Sequence, residues 1–151
     1  MSTIDKFNIR VYGLMLNPLN QLLIVHEQIN DFKFTKFPGG GLEFGEGWTD
    51  CLIREFKEEA NIAIQIDQHF YTTDFFQTSA FKQNEQIIAV YYWIKTPANW
   101  QQISLAQHQV KYGNRIENLR FEWVDVNTIT PDIFTFPIDK LVCEKINKQH
   151  Q

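Results

Sequence analysis

Three glutamates lie close together in one short stretch of the chain, at the spacing of a helix face. Glu58 and Glu59 follow Glu55 by three and four residues. Because a helix turns about 100° per residue, the three carboxylates fall within an arc of about 100°. Carboxylate oxygens are ligands that Mg²⁺ prefers. The sequence therefore predicts a helix face that can hold hard divalent cations against a phosphate chain.

The helix that must carry these glutamates has recognisable ends. Gly47 is the expected N-cap, and the acidic Asp50 suits the positive end of the helix. Asn61 stands where the helix should stop, since asparagine tolerates the left-handed conformation of C-terminal caps. The apolar residues of the helix occupy the neighbouring arc and should pack on a sheet: they are Leu52, Ile53, Phe56 and Ala60.

The glutamates belong to a longer pattern that begins at a glycine turn. Glu46 follows Gly40 after five residues, and Arg54 and Glu55 follow after seven more. This spacing, over residues 40–62, resembles the signature of the Nudix hydrolases. Eight of the nine specified positions of that signature match. A motif is a hypothesis that its structural context must confirm.

The match has one departure and one supporting feature outside the signature. Asn61 replaces the late glycine, which leaves the carboxylates untouched, and Phe56 stands for the usual aliphatic residue. A Phe-Pro-Gly-Gly-Gly run at 37–41 leads into the signature in register. An ordinary solvated helix face with i,i+4 ion pairs is the alternative. The complete spacing favours the Nudix interpretation.

The resemblance implies roles for the matching residues. The implied metal ligands are the backbone carbonyl of Gly40 and the carboxylates of Glu55, Glu58 and Glu59. Arg54 resembles the family arginine that orients a catalytic glutamate, and Glu46 resembles its buried partner. The absence of His and Cys from this set favours Mg²⁺ or Mn²⁺ over zinc. Such ions neutralise and orient a diphosphate group under attack by water.

The activity implied is hydrolysis of the diphosphate linkage in a nucleoside diphosphate joined to another group. A nucleoside triphosphate, a nucleotide sugar and ADP-ribose all stay open as substrates. The proline that many ADP-ribose hydrolases carry past the signature is missing, because the region contains Gln77, Thr78 and Ser79. The tyrosine of many dinucleoside polyphosphate hydrolases is also missing there, and no coenzyme A motif is present. A non-catalytic sensor domain that binds a nucleotide metabolite is the alternative function.

A polar, glutamine-rich segment at 97–118 is expected to be an insertion or loop, with a short helix around 105–110 as the alternative. Four of its residues could contact phosphates: His108, Lys111, Tyr112 and Arg115. Glu117 is our candidate general base, carried on this loop. Glu122 and Glu85 are the weaker alternatives.

Composition fits one globular domain over residues 1–151, with 44% hydrophobic and 21% charged residues. A net charge of −4 argues against a nucleic-acid partner. We see no signal-peptide pattern and no membrane-spanning run. Cys51 and Cys143 are expected to be free thiols in a reducing cytoplasm. A homodimer stays open.

The remaining elements indicate the fold class. Strand patterns occupy residues 7–16, 21–27, 86–95 and 119–126, residues 64–77 are extended, and 138–148 have helical periodicity. Strands flanking two helices predict an α/β fold. The Nudix resemblance implies more, namely an α/β/α sandwich with a mixed β-sheet.

Overall fold

Eight strands and two long helices form residues 3–150, the part of the chain that the computed structural model describes; Met1, Ser2 and Gln151 of the expected domain lie outside it. The strands are β1 (Lys6–Met15), β2 (Gln21–Ile29), β3 (Phe32–Lys36), β4 (Gly39–Gly41), β5 (Gln65–Thr72), β6 (Glu85–Lys95), β7 (His108–Tyr112) and β8 (Arg115–Asp125). The helices are α1 (Trp48–Ala60) and α2 (Pro137–Gln149).

The strands form two four-stranded sheets. The first has the order β4-β1-β6-β5 and is mixed, because β1 runs parallel to β6 and antiparallel to β4. The second has the order β3-β2-β8-β7 and is antiparallel throughout. The predicted α/β class and mixed sheet are confirmed, and an antiparallel sheet stands beside the mixed one.

Two hydrophobic clusters place the helices on opposite sides of the sheets. Alternate strand residues point to opposite faces, so Val11 of β1 packs in the α1 cluster and Leu14 in the α2 cluster. In α1 the packed residues are Cys51, Leu52, Phe56 and Ala60, and in α2 they are Ile138, Val142, Cys143 and Ile146. The α/β/α layering follows from this alternation.

Helix α1 has the predicted ends. The backbone N–H of Gly47, the N-cap, donates to the Asp50 carboxylate over 2.9 Å. Asn61, the C-cap, has the left-handed dihedrals φ 52° and ψ 42°. Ile53 differs from the expectation because its side chain is 41% exposed. Cys51 is fully buried against the sheet in its place.

The loop expected at 97–118 is present over residues 97–107 and is wrong over 108–118, and the alternative helix at 105–110 is wrong. After a short 3₁₀ turn, the segment forms β7 and, across a tight turn at Gly113, the first residues of β8. Polar residues are tolerated here because β7 is the edge strand, and only one of its faces packs on the protein. Glu117 therefore lies on a strand.

Two further expectations concern the thiols and the membrane. Cys51 and Cys143 are both free and buried. Within residues 3–150, neither long helix has the length and apolarity needed to cross a bilayer.

Candidate active site

Strand register gathers three charged residues on the sheet face that meets α1. Ile29 of β2 pairs with Glu117 of β8, so Glu27 lies diagonally across from Glu117 on the same face. Val25 pairs with Lys36 of β3, which places the lysine diagonally across from Glu27 on the other side. Two carboxylates and one ammonium thus line neighbouring strands.

Glu59, near the C-terminal end of α1, completes an acidic cluster with the strand residues. Glu27, Glu59 and Glu117 each have a carboxylate oxygen within 4.8 Å of the other two. The three residues are buried, with exposures of 5%, 7% and 6%. Burial raises the pKa of Glu59 well above its usual range, although the Lys36 ammonium opposes this, and burial also raises the pKa of Glu117.

Lys36 is the buried cation within the acidic cluster. Lys36 Nζ lies 2.9 Å from Glu27 Oε2 and donates hydrogen bonds to the carbonyl oxygens of Phe37 and Gly39. Despite the short distance, Glu27 Oε2 has no hydrogen bond of good geometry, and Glu59 Oε2 has no hydrogen-bond partner among the described residues. Buried carboxylate oxygens without partners are rare, because their desolvation is costly.

The β7–β8 hairpin fixes Glu59 from the other side. The Tyr112 hydroxyl donates to Glu59 Oε1 over 2.9 Å. His108 Nε2 lies within hydrogen-bond distance, 2.8 Å, of the Glu59 carbonyl oxygen. Arg115 Nη2 lies 2.9 Å from Glu117 Oε1 and stacks its guanidinium over the Tyr112 ring. The hairpin therefore holds both Glu59 and Glu117 in place.

Glu55 lies against the glycine turn that starts the signature. A Cβ on Gly40 would come within 2.4 Å of the Glu55 carboxylate carbon and Oε1. No side chain fits there unless Glu55 moves, so glycine lets the backbone approach the carboxylate closely. Residues 40 and 55, distant in sequence, are thereby adjacent in the site.

Arg54 makes the ion pairs that surround the exposed side of α1. Its Nε and Nη2 donate to the two oxygens of Glu46 over 3.0 and 2.7 Å, and Nη2 also donates to the Gly41 carbonyl. Nη1 donates to Glu55 over 3.0 Å and to Glu58 over 3.3 Å. Hydrogen bonds from Arg54 lower the pKa of Glu46 to about 2. Glu46 is thus the bidentate partner that the sequence suggested.

The acidic cluster opens into a cavity of about 710 Å³. Phenylalanines form one wall, since Phe34, Phe81 and Phe136 line the cavity with ring centroids 5.4 to 5.9 Å apart. Deeper inside, the Tyr91 hydroxyl donates to the buried Asp139 over 2.6 Å. Burial raises the pKa of Asp139 to about 7. The cavity joins an apolar, aromatic wall to a carboxylate-lined wall.

The donor set fits a hard divalent cation. The cluster contains only carboxylates, the ligands that suit Mg²⁺ and Mn²⁺. Glu59 Oε2 lacks a hydrogen-bond donor, Glu27 Oε2 has only the Lys36 ammonium beside it, and one buried ammonium and the exposed Arg115 guanidinium stand against three carboxylates. A divalent cation bound by Glu27, Glu59 and Glu117 would satisfy these oxygens and balance the charge.

The predicted site residues divide into two groups in the structure. Glu59 and Glu117 meet in the acidic cluster. Glu55 and Gly40 meet beside it, whereas Glu58 is outside the cluster and accepts from Arg54. Their roles as ligands or catalysts stay predictions. So do the cytoplasmic location and the homodimer.

Three cavity residues carry no signal that singled them out in the sequence. Glu27 and Lys36 lie in strand patterns next to ordinary polar residues, and Arg10 lies in β1. The period-2 alternation identifies their faces only when the strand pairing is known.

The structure also locates Glu85 and Glu122, the two weaker alternatives to Glu117 as general base. Glu85 lines the cavity at the start of β6, and Glu122 does not.

Glu122 faces the opposite side of β8 from Glu117, because five residues separate the two and side chains alternate along a strand. His26 Nε2 lies 2.6 Å from Glu122 Oε1, and His26 Nδ1 lies 2.7 Å from the Thr35 hydroxyl. These three residues form a separate polar network away from the acidic cluster. The choice of Glu117 over Glu122 agrees with this geometry.

Several solved structures have a similar fold. A MutT protein from Methanosarcina mazei Go1 has a TM-score of 0.71 at 18% identity and covers 99% of each chain. The ORF135 protein of E. coli has a TM-score of 0.68 at 13% identity, covering 96% of this chain and 91% of its own. A MutT NUDIX hydrolase from Burkholderia pseudomallei has a TM-score of 0.64 at 14% identity, with 93% and 98% covered. At these identities the likeness is one of fold.

The sequence itself decides the family. No curated protein matches the chain significantly. The profile described as NUDIX domain matches residues 6–144, which include every residue that lines the cavity. With this match and the signature residues gathered around one cavity, the chain belongs to the NUDIX domain family and is a Nudix hydrolase, an enzyme that cleaves pyrophosphate linkages.

Proposed function

We propose that this enzyme hydrolyses the diphosphate linkage of a nucleoside diphosphate joined to another group, with Mg²⁺ or Mn²⁺ as its cofactor. The observation that carries the proposal is the buried cluster of Glu27, Glu59 and Glu117. Within it, Glu59 Oε2 has no hydrogen-bond partner among the described residues, and the cluster lines a cavity large enough for a nucleotide. A purely structural cluster would have its buried oxygens hydrogen-bonded.

The cofactor would be held by Glu27, Glu59 and Glu117, with the Gly40 carbonyl, Glu55 and Glu58 as the further ligands that the signature implies. Bound there, a divalent ion neutralises the phosphate charge and lowers the pKa of water. Lys36 is kept off the phosphates by its contacts with Glu27 and two backbone carbonyls. Its charge instead limits the repulsion among the carboxylates.

The protein's own groups orient the reaction. Water attacks one phosphorus atom, the bond from that phosphorus to the bridging oxygen breaks, and a carboxylate accepts the proton of the water. We assign the proton to Glu117, which lies in the acidic cluster at the wall of the cavity. Arg54 positions Glu55 through a 3.0 Å hydrogen bond, and Glu46 fixes Arg54 in turn.

The aromatic wall supports a nucleoside as the fixed part of the substrate. Phe34, Phe81 and Phe136 offer apolar faces on which a planar base can stack. The group joined to the nucleoside diphosphate stays open among a phosphate, a sugar and a ribose.

A substrate panel tests the proposal. Nucleoside triphosphates, nucleotide sugars and ADP-ribose are incubated with the enzyme and Mg²⁺ or Mn²⁺, and the products are identified by mass spectrometry. We expect cleavage within the diphosphate chain of at least one class and no cleavage after EDTA treatment. Full turnover after exhaustive metal removal would contradict the metal proposal. Tight binding of a nucleotide without turnover would favour the sensor alternative.

A further inference from the structure

Arg10 lies on β1 beside the glycine turn, outside the signature, and lines the cavity. It pairs across the strands with Gly41 of β4. Its Nη1 would stand 3.5 Å from a Cβ on Gly41, so the guanidinium occupies the space beside a residue that has no side chain. Nε donates to the Tyr12 hydroxyl over 3.1 Å, which fixes the orientation of the group.

Unlike the other two arginines of the cavity, Arg10 has no carboxylate partner. Arg54 pairs with Glu46 and Arg115 with Glu117. Arg10 forms no ion pair within residues 3–150, and the only hydrogen bond of its side chain there is the one from Nε. Both Nη atoms are left without acceptors from the described residues. A half-buried guanidinium with free donors calls for an anion, because unpaired charge is costly to withdraw from water.

The position of Arg10 indicates which anion. Arg10 lines the same cavity as Glu27 and Glu55. The guanidinium thus shares the cavity with carboxylates that would bind the cation, and it forms an ion pair with neither of them. A diphosphate held at that cation would lie in the cavity that the guanidinium lines. The planar fork of arginine matches phosphate oxygens bidentately.

We propose that Arg10 binds a phosphate oxygen of the substrate from the β1 side of the cavity. The inference rests on the proposed function and adds to the site a phosphate ligand that the signature does not contain. Two of the three cavity arginines orient carboxylates, and Arg10 contacts the substrate itself. Tyr12 acts as the support that holds the guanidinium towards the cavity.

Binding of methylenediphosphonate, a diphosphate analogue that cannot be hydrolysed, tests the inference without turnover. Calorimetry in the presence of Mg²⁺ compares the wild type with Arg10→Met, Arg10→Lys and the control Arg120→Met. Arg120 is an exposed arginine on β8, so its loss removes the same charge away from the cavity. We expect Arg10→Met to weaken binding about 10- to 100-fold, the range of hydrogen bonds to charged groups.

Arg10→Lys separates a substrate contact from charge balance. Lysine keeps the positive charge but lacks the planar fork, so we expect an intermediate loss of affinity and an unchanged melting temperature. If Arg10 only balanced Glu27 and Glu55, Arg10→Lys would bind the analogue as well as the wild type. This variant also decides the matter if Arg10→Met fails to fold.

The inference fails if folded Arg10→Met binds methylenediphosphonate as tightly as Arg120→Met, or if the wild type does not bind the analogue at millimolar concentration. The proposed function fails by a different route, namely when no compound of the substrate panel is cleaved. Loss of analogue binding in Arg10→Met without any turnover by the wild type would leave the phosphate contact standing and remove the hydrolysis.

Discussion

The two halves of the site neutralise their carboxylates in different ways. On the outer side of α1, Arg54 contacts Glu46, Glu55 and Glu58, and Glu58 is 38% exposed. On the strand side, Glu27 and Glu117 are buried with Glu59, and Lys36 is the cation embedded among them. The helix half, which consists of Arg54 and its glutamates, balances its charge with a guanidinium. The strand half, which consists of Glu27, Glu59, Glu117 and Lys36, is left with an excess of buried negative charge.

This difference indicates where a cation is needed most. The Arg54–Glu58 pair is partly exposed and screened by water, and the buried Glu55 accepts a hydrogen bond from Arg54, so both carboxylates have a partner without a further ion. Buried charges lose hydration and must be compensated by partners. The strand half has too few partners of its own, which is the physical reason to place the divalent cation there. The following changes test this division.

Glu59→Gln should have the largest effect, because Glu59 is the residue of α1 that reaches into the strand half. Glutamine keeps the size and can still accept from Tyr112, but it removes the charge that binds the cation. We expect kcat to fall at least about 1,000-fold, beyond the roughly 10- to 100-fold typical of groups that only support metal ligands. Steady-state kinetics on a confirmed substrate measures this.

The same variant should fold at least as well as the wild type without metal. Removing one of three crowded carboxylates relieves repulsion and desolvation, so its melting temperature in EDTA should be equal or higher. A rate close to that of the wild type would return Glu59 to the role of a structural residue.

Glu117→Gln should lower kcat about 100-fold or more, the range of a lost general base. Glu122→Gln is the matched control, since Glu122 lies five residues further along β8 and pairs with His26 on the opposite face. We expect the control to keep nearly full activity. Loss of kcat with an unchanged KM supports proton transfer, whereas loss of Mn²⁺ affinity supports metal ligation.

The reverse result would reassign the acid. An inactive Glu122→Gln beside an active Glu117→Gln would move the general base to the His26 network. If neither variant were impaired, a signature glutamate such as Glu55 would accept the proton.

Lys36→Met tests whether the buried carboxylates of the strand half need a positive charge for stability. Removing the ammonium leaves the three buried carboxylates with only the exposed Arg115 as a cationic partner, so we expect the free energy of unfolding of the metal-free protein to fall by about 3 kcal/mol. Mn²⁺ should then stabilise this variant more than it stabilises the wild type, as thermal unfolding with and without the ion would show. Lys33→Met, on the exposed side of the same strand, is the control. Equal stabilisation of both proteins by Mn²⁺ would mean that Lys36 and the ion do not share a site.

Arg54→Lys should have the smallest effect of the four changes on the site. Lysine keeps the charge but cannot make the paired hydrogen bonds to Glu46 together with those to Glu55 and Gly41. We expect kcat to fall about 10- to 100-fold, as for a group that orients a ligand, with stability nearly unchanged. A silent substitution would show that the guanidinium is only a surface ion-pair partner.

The helix could be predicted in detail because its information is local. The positions of Gly47 and Asn61 mark its ends, and the spacing of Glu55 and Glu59 follows from the helical repeat alone. The strand residues within 108–118 were missed for the opposite reason, because the information that identifies them is not local. A polar edge strand has only one packed face, and its hydrophobic pattern is too weak to distinguish it from a loop until its partner β8 is known.

The sequence by itself determined the family, the helix and the group of carboxylates that helix presents, since spacing within one element is fixed by backbone geometry. Only the tertiary structure decided which residues from elsewhere join them. Glu27, Lys36 and Arg10 come from three different strands, and their faces depend on a register in which a shift of one residue would turn each side chain away. That register is set by long-range pairing and core packing, which no local pattern in the sequence contains.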